Sequence, residues 1–297
     1  MKPAERGFLL LTSHLGDPER KILTVAQFRT LTERVRGAEH TDAGRELAAS
    51  DLTALGYGGD MAKRILALLA EEERLDHYLN RAARSGCVPI TRVSRHYPLL
   101  LRKRLGQDSP GCLWARGDVS LLAEPAVALV GSRDLREENR NFAAEVGRQA
   151  AKQGYVLVSG NARGADRTAQ ESCLAAGGRV ISIVADELCR QPVRDKVLYL
   201  SEDGFEEAFS SQRALSRNRC IHALGLKTFV AQTKAGTGGT WGGTVKNLQN
   251  HWSQVYGYRD GSEGMAQLEQ LGAELIGMEE LGSFYDLPEP EQNFLDL

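Results

Sequence analysis

The residues that offer chemistry here are arginines and glycines placed where apolar runs stop. Gly131-Ser132-Arg133 closes the run that begins at Ala126, and Ser159-Gly160-Asn161-Ala162-Arg163-Gly164-Ala165-Asp166 closes the run from Tyr155, the two junctions being 29 residues apart. A third, Ala235–Thr244, holds five glycines in ten residues after the apolar run ending at Ala231. Small residues at a strand end let backbone N–H groups approach a ligand, and the following helix N-terminus adds partial positive charge, which suits phosphate. Ser216-Arg217-Asn218-Arg219 adds two guanidiniums at a helix start, a fork suited to bidentate phosphate contact. Asp166 is expected to orient an arginine or cap the next helix rather than to catalyse. Lys234 stands just before the third loop.

Elements that would position these loops follow from periodicity. Strands are expected at about 126–131, 155–159, 179–184, 197–201, 226–231, 254–258 and 274–276. Between them helical spacing (Phe142, Val146, Ala150) and terminal glycines at 154 and 177–178 place helices near 165–175, 214–224, 243–250 and 263–271 as well. Such β-α alternation predicts a Rossmann-like parallel sheet with helices on both faces, whose ligand sits at the carboxyl edge. Val88–Thr91, with Pro89, reads as an edge strand. Ahead of the sheet, residues 1–85 read as a small all-helical domain. Thr24 is a candidate N-cap for a helix carrying Phe28, Leu31 and Val35. Leu52-x-x-Leu55-Gly56-x-Gly58 between short helices has the pattern of a helix–hairpin–helix or SAM-like unit, which either contacts DNA or only packs. One long helix is expected over about 60–85, the α/β domain over 86–282, and a polar, acidic, loose tail over 283–297.

Net charge is −2, so bulk attraction to a polyanion is excluded as the driving term. The charge is segregated: residues 77–107 hold seven Lys/Arg and no acid, while 260–297 hold ten Asp/Glu and no base. That arrangement is either a directed field or a solvated face beside an acidic tail. Five cysteines are scattered without a C-x-x-C pair, and the six histidines show no ligand spacing, so neither metal nor cofactor is expected. His222 reads as a packed or capping side chain. No run approaches a membrane span and no signal-peptide pattern opens the chain, which points to the cytoplasm. G-x-S-x-G, H-E-x-x-H and the Walker lysine motif are absent, and so is a full G-x-G-x-x-G at the first junction. A phosphate-binding face is supported and an enzyme is not.

Gly-Ser-Arg133, Ser159-Gly-x-Ala-Arg-Gly-x-Asp166 and Arg217-Asn-Arg219 together resemble the DNA-processing protein A (DprA/Smf) family of the Rossmann-like SLOG superfamily. Tyr97-Pro-Leu-Leu100, Leu113-Trp-Ala-Arg-Gly117 and Gly264-x-x-x-Leu268-x-x-x-Gly272-Ala273 extend the resemblance over roughly 50–280. It implies a homodimeric, non-enzymatic protein that binds and protects single-stranded DNA and helps load a RecA-type recombinase in natural transformation. By that resemblance Arg133, Ser159, Gly160, Arg163 and Gly164 line the DNA pocket, Arg217 and Arg219 flank it, and Lys234 lies near its rim. Gly131, Ser132, Asp166, Asn218, Gly238, Gly239 and Thr240, from the same junctions, complete the candidate DNA- or phosphate-binding set. The family's third loop differs here, with Thr240-Trp241 and extra glycines, and Gln232 replaces its usual acid. Trp241 is either a stacking partner for a base or a core residue. The alternative is a nucleotide-binding sensor, or a phosphoribohydrolase-like protein, acting in anti-phage defence; Gly238-Gly239-Thr240 resembles the hydrolase loop, but the acid that loop requires is Gly243 here.

Overall fold

A computed structural model describes residues 1–38 and 47–288. By internal contacts the chain divides into two units, Met1–Ser85 with Thr91–Arg95, and Gly86–Ile90 with His96–Leu297.

The first unit is built from α1 (Pro3–Thr12), α2 (Val25–Gly37), α3 (Ala49–Ala54), α4 (Gly59–Leu69) and α5 (Glu72–Arg84). Thr24 caps α2 as its sequence predicts: Gln27 N–H donates to Thr24 Oγ1 (3.2 Å) and Thr24 N–H donates to Gln27 Oε1 (3.0 Å), a reciprocal capping box. Apolar residues at helical spacing, among them Leu11, Leu31, Leu52, Ile65 and Leu68, form its core. The single helix expected over 60–85 is two helices. The break falls at Ala70–Glu71, where the buried Arg20 guanidinium takes the Glu71 carboxylate (2.9 Å) and donates to the Leu10 carbonyl (2.6 Å). At the α3–α4 hairpin, Arg34 of α2 lies 4.4 Å over the Tyr57 ring and donates to the Leu55 and Gly56 carbonyls. Asp60 stands in the first turn of α4, and an anion there disfavours phosphate.

The second unit holds β1 (Val88–Thr91), α6 (Leu99–Leu105), β2 (Cys112–Gly117), β3 (Ala126–Val130), α7 (Glu137–Lys152), β4 (Val156–Ser159), α8 (Ala165–Ala175) and β5 (Arg179–Ile183). It continues through β6 (Val197–Ser201), α9 (Ser211–Ser216), α10 (Asn218–Leu224), β7 (Lys227–Val230), α11 (Gly238–Asn250), β8 (Gln254–Tyr258), α12 (Glu263–Gln270) and β9 (Glu274–Ile276). The strands form one sheet in the order β1-β2-β6-β5-β4-β3-β7-β8-β9, with β6 through β9 parallel and β2 antiparallel to β6. The Rossmann-like expectation therefore holds, with an antiparallel extension on one side. Strand β3 is all buried because helices cover both faces: Ala126, Ala128 and Val130 join the core around α10, while Val127 and Leu129 are equally buried on the opposite face. Gly147 of α7 permits the close approach of α8, since a Cβ there would lie 2.1 Å from the Ala169 carbonyl oxygen.

Two boundaries differ from the sequence reading in ways that matter for the site. The helix expected near 214–224 is α9 and α10, divided at Arg217. The helix expected from 243 starts at Gly238, so most of the third glycine-rich loop is the first turns of α11. The tail also differs. Residues 283–288 are not a loose polar segment: Phe284 is fully buried, its ring 4.7 Å from that of Phe229, and its N–H donates to Gln153 Oε1 (2.7 Å). The rest of the expected tail, 289–297, lies outside the described residues. Phe284→Ala is expected to lower unfolding free energy by about 3–5 kcal/mol, the usual range for a buried phenylalanine. Urea denaturation checks this, and an unchanged midpoint would remove Phe284 from the core.

Candidate nucleic-acid interface

Strand β3 is flanked by β4 on one side and β7 on the other, so the chain reverses its direction of travel across the sheet at β3. A crevice opens at such a switch point, beyond the carboxyl ends of the strands. Here it is a cavity of about 440 Å³ lined by the end of β3 and the loop after it, the segment that follows β7, the start of α8, and α9, α10 and α11.

Hydrogen bonds between the loops fix this arrangement. Ser132 N–H donates to the Gln232 carbonyl (2.9 Å), joining the first loop to the third. Ala165 N–H donates to the Ser132 carbonyl (3.2 Å), joining the second loop to the first. Asn218 Nδ2 donates to the Gly239 carbonyl (3.1 Å), joining α10 to the start of α11. Asp166, buried at the start of α8, accepts from Ala162 N–H (3.1 Å) and so holds the second loop. Burial pushes its carboxyl up, against the Arg217 charge and the backbone N–H groups that pull it down.

Ten of the fifteen residues singled out from sequence line the cavity: Gly131, Ser132, Arg133, Asp166, Arg217, Asn218, Lys234, Gly238, Gly239 and Thr240. The other five stand behind it or beside it. Ser159 is buried and its Oγ accepts from Gln170 Nε2 (2.6 Å). Gly164 packs on the Ser132 and Arg133 carbonyls. Arg163 is exposed and paired with Asp134 (2.7 Å). Arg219 turns away to Glu202 (2.8 Å) and the Asp108 carbonyl (3.1 Å). Gly160 acts through Arg217: a Cβ at 160 would fall 1.5 Å from the Arg217 guanidinium, which lies across the space this glycine leaves. Trp241 is partly buried, with part of its surface packed against the hydrophobic core.

The cations therefore sort by partner. Arg163, Arg219 and Arg136 have carboxylates, the last at 2.5 Å from Asp260. Among the described residues no carboxylate lies within 4 Å of Arg133, Arg217 or Lys234, the three cations that line the cavity. Arg217 is 8% exposed and its Nε has no hydrogen-bond partner. Burial lowers its pKa, while Asp166 and Glu202 act at longer range to raise it. A buried guanidinium without a direct counter-ion is unfavourable unless an anion completes it. Arg133 and Lys234 are exposed at the mouth, beside the N-terminus of the 13-residue α11. A phosphate at this mouth would meet two cations and the positive end of the helix.

His222, read from sequence as packing or capping, also lines the cavity. It stands four residues after Asn218, on the same helix face, and that spacing was the available signal. Ser253 N–H donates to Asn247 Oδ1 (2.9 Å), which turns Asn247 Nδ2 toward His222 Nδ1 (3.1 Å). Nδ1 is thus an acceptor, and the ring proton sits on Nε2, which is buried without a partner. Burial pushes the imidazole pKa down to about 3. Its ordinary value is 6.5, so the stability conferred by the neutral ring is complete above pH 6.5 and is lost as pH falls toward 3. His222→Gln is expected to flatten that acid limb in denaturation at stepped pH; an unchanged slope between pH 6.5 and 4 would contradict the assignment.

Among the described residues no group of three or more His, Cys, Asp or Glu is placed to hold a metal, and no helix is long and apolar enough to cross a membrane. All five cysteines are free.

Comparison with known proteins places this geometry in a family. The sequence model of DNA recombination-mediator protein A matches residues 89–281, well over half of the chain. DNA processing protein DprA of Streptococcus pneumoniae is 29% identical over 194 residues, covering 60% of this chain and 68% of that protein. The Bacillus subtilis protein of the same name is 28% identical, over 51% of this chain and only 53% of its own length. The X-ray structure of the Streptococcus pneumoniae protein superposes with a TM-score of 0.71 at 22% identity, covering 93% of this chain and 95% of that one. DNA processing protein A of Helicobacter pylori, whose structure describes its single-stranded DNA binding mode, aligns with a TM-score of 0.53 at 23% identity over 66% of this chain and 92% of that one. With its switch-point cavity and its matched span of 89–281, the chain belongs to the DNA recombination-mediator protein A family.

Proposed function

We propose that the cavity and its rim bind single-stranded DNA without sequence preference, through Gly131, Ser132, Arg133, Asp166, Arg217, Asn218, Lys234, Gly238, Gly239 and Thr240. Ser159, Gly160, Arg163, Gly164 and Arg219 support that surface from behind or at its edge. The observation that carries the reading is the buried Arg217 guanidinium, which has no carboxylate within ion-pairing distance and faces a cavity whose mouth holds Arg133 and Lys234. A flexible strand can feed one nucleotide at a time into a cavity of about 440 Å³, whereas a duplex cannot without unpairing. Family membership supports the same substrate.

The protein acts without chemistry of its own, in the cytoplasm, protecting the strand and helping a RecA-type recombinase assemble on it during transformation or recombination. A homodimer is expected, formed through the region of α12 and β9, where Leu271 is exposed. Sedimentation that finds only monomer at micromolar concentration would remove the dimer. Faster recombinase assembly on strands carrying this protein checks the loading role, and no acceleration would remove it.

Binding to single-stranded oligonucleotides, duplexes and mononucleotides separates the readings. Preference for the single strand is expected, and binding of mononucleotides alone would assign the cavity to a small ligand. Arg133→Ala is expected to weaken binding by about 1.5–3 kcal/mol, the range for a charge-assisted hydrogen bond. Arg102→Ala, at an exposed position on α6, is expected to cost under about 1 kcal/mol. If Arg102→Ala is the more damaging, the DNA path runs over α6 and not through the cavity.

A further inference from the structure

Among the described residues two Phe, Tyr or Trp side chains are largely exposed, Phe209 (55%) and Tyr285 (86%). Tyr285 follows Phe284, which is held on Gln153 where α7 gives way to β4, at the amino edge of the sheet and away from the cavity. Phe209 is at the opposite edge. It stands two residues before Ser211, and Ser211, Ala214 and Leu215 of α9 line the cavity. Two residues span at most about 7 Å, so Phe209 borders the cavity wall. Leu215 is exposed as well, so one large apolar side chain stands just before α9 and another toward its end. The backbone that carries Phe209 is fixed from both sides. Just before it, Arg213 Nη1 donates to the Glu207 (2.7 Å) and Ala208 (2.8 Å) carbonyls and to the Ala185 carbonyl (2.8 Å) beyond β5. The same guanidinium pairs with Asp203 (2.9 Å) and donates to Ser201 Oγ (2.9 Å). Just after it, Ser210 Oγ accepts from Arg213 N–H (3.1 Å) and caps α9.

A single exposed apolar residue is ordinary on a protein surface. This one differs in its fixed backbone and in its neighbours. A ring held in place loses little freedom when a flat partner settles on it. The cavity it borders collects anions, with Arg217 inside and Arg133 and Lys234 at the mouth. The flat, uncharged surface that arrives tethered to a phosphate is a nucleobase. We propose that Phe209 is a stacking platform for the base of the nucleotide next to the one in the cavity, while the phosphates of the strand stay with Arg217, Arg133 and Lys234. This rests on the single-stranded DNA site proposed above. Stacking uses the face of the base, which every base has, so the platform is indifferent to sequence. It also needs an unpaired base, so it adds to the preference for a single strand over a duplex.

The test measures binding of oligothymidylate and of an abasic strand of the same length. Phe209→Ala is expected to weaken oligothymidylate binding by about five-fold or more, the lower end of the worth of one base on an aromatic ring. The abasic strand is expected to bind wild type and Phe209→Ala alike. Phe209→Trp, which keeps an aromatic face, should retain the affinity for oligothymidylate. The slope of log K against log salt should be the same in Phe209→Ala as in the wild type, because no phosphate contact is removed. Position 209 is exposed and its side chain fills no core, so both variants are expected to fold. An unchanged affinity for oligothymidylate in Phe209→Ala, an equal loss on the abasic strand, a loss in Phe209→Trp as large as in Phe209→Ala, or a shallower slope overturns the stacking role. If Arg217→Met weakens binding while Phe209→Ala does not, the cavity reading stands and the platform alone falls. Failure of the wild type to bind any single strand would instead overturn the DNA-binding reading itself.

Discussion

The structure around the cavity depends on one unfavourable placement: a guanidinium taken out of water without a direct counter-ion. Arg217 sits at the junction of α9 and α10, 8% exposed, in the space left by the missing side chain of Gly160. Asp166 and Glu202 supply opposing charge only at longer range. Much of the surrounding design follows from holding that charge ready. Any side chain at position 160 would displace the guanidinium, Asp166 ties the loop that carries Gly160, and the α9–α10 break sets the direction in which Arg217 leaves the backbone. A site of this kind conserves electrostatic attraction for an incoming anion, since little of it is spent on neighbours.

Pairing explains why neighbouring arginines of similar sequence context differ in role. Arg217 and Arg219 are two residues apart, yet Arg219 is held by Glu202 and by the Asp108 carbonyl. Arg163 pairs with Asp134 in solvent, where the pair contributes little to stability and opens readily. Arg104, part of the basic run near α6, is held on the Ala223 carbonyl (3.0 Å) at the C-terminal end of α10, and burial pushes its pKa down to about 10. It is therefore a capping cation and not part of a diffuse basic face.

Much of this was legible in the sequence, for identifiable reasons. Buried parallel strands read as short apolar runs, so β3, β4 and β5 and the small residues after them stood out, and with them the switch point. What the sequence hid was direction and depth. Periodicity could not show that Arg219 faces Glu202 while Arg217 faces the cavity, because both sit beside a helix break that itself was not visible. The third loop looked irregular because glycine lowers helix propensity, yet Gly238 and Gly239 open α11, where tertiary context overrides it. Phe284 was lost among acids and prolines, although its burial depends on Phe229 and Tyr155, both remote in sequence. His222 carried no motif; its role is set by Asn247 and Ser253, residues 25 and more positions away.

The salt dependence of oligothymidylate binding tests the central claim most directly. Three cations engaging phosphate correspond to a slope of log K against log salt of about −2, at about −0.7 per phosphate neutralised on a single strand. Replacing Arg217 by methionine, which keeps the length and apolar bulk of the stem, is predicted to make the slope shallower by about 0.7. A slope near zero in the wild type, or an identical slope in Arg217→Met, would contradict the account: the buried guanidinium would then not be held ready for the phosphate of the strand.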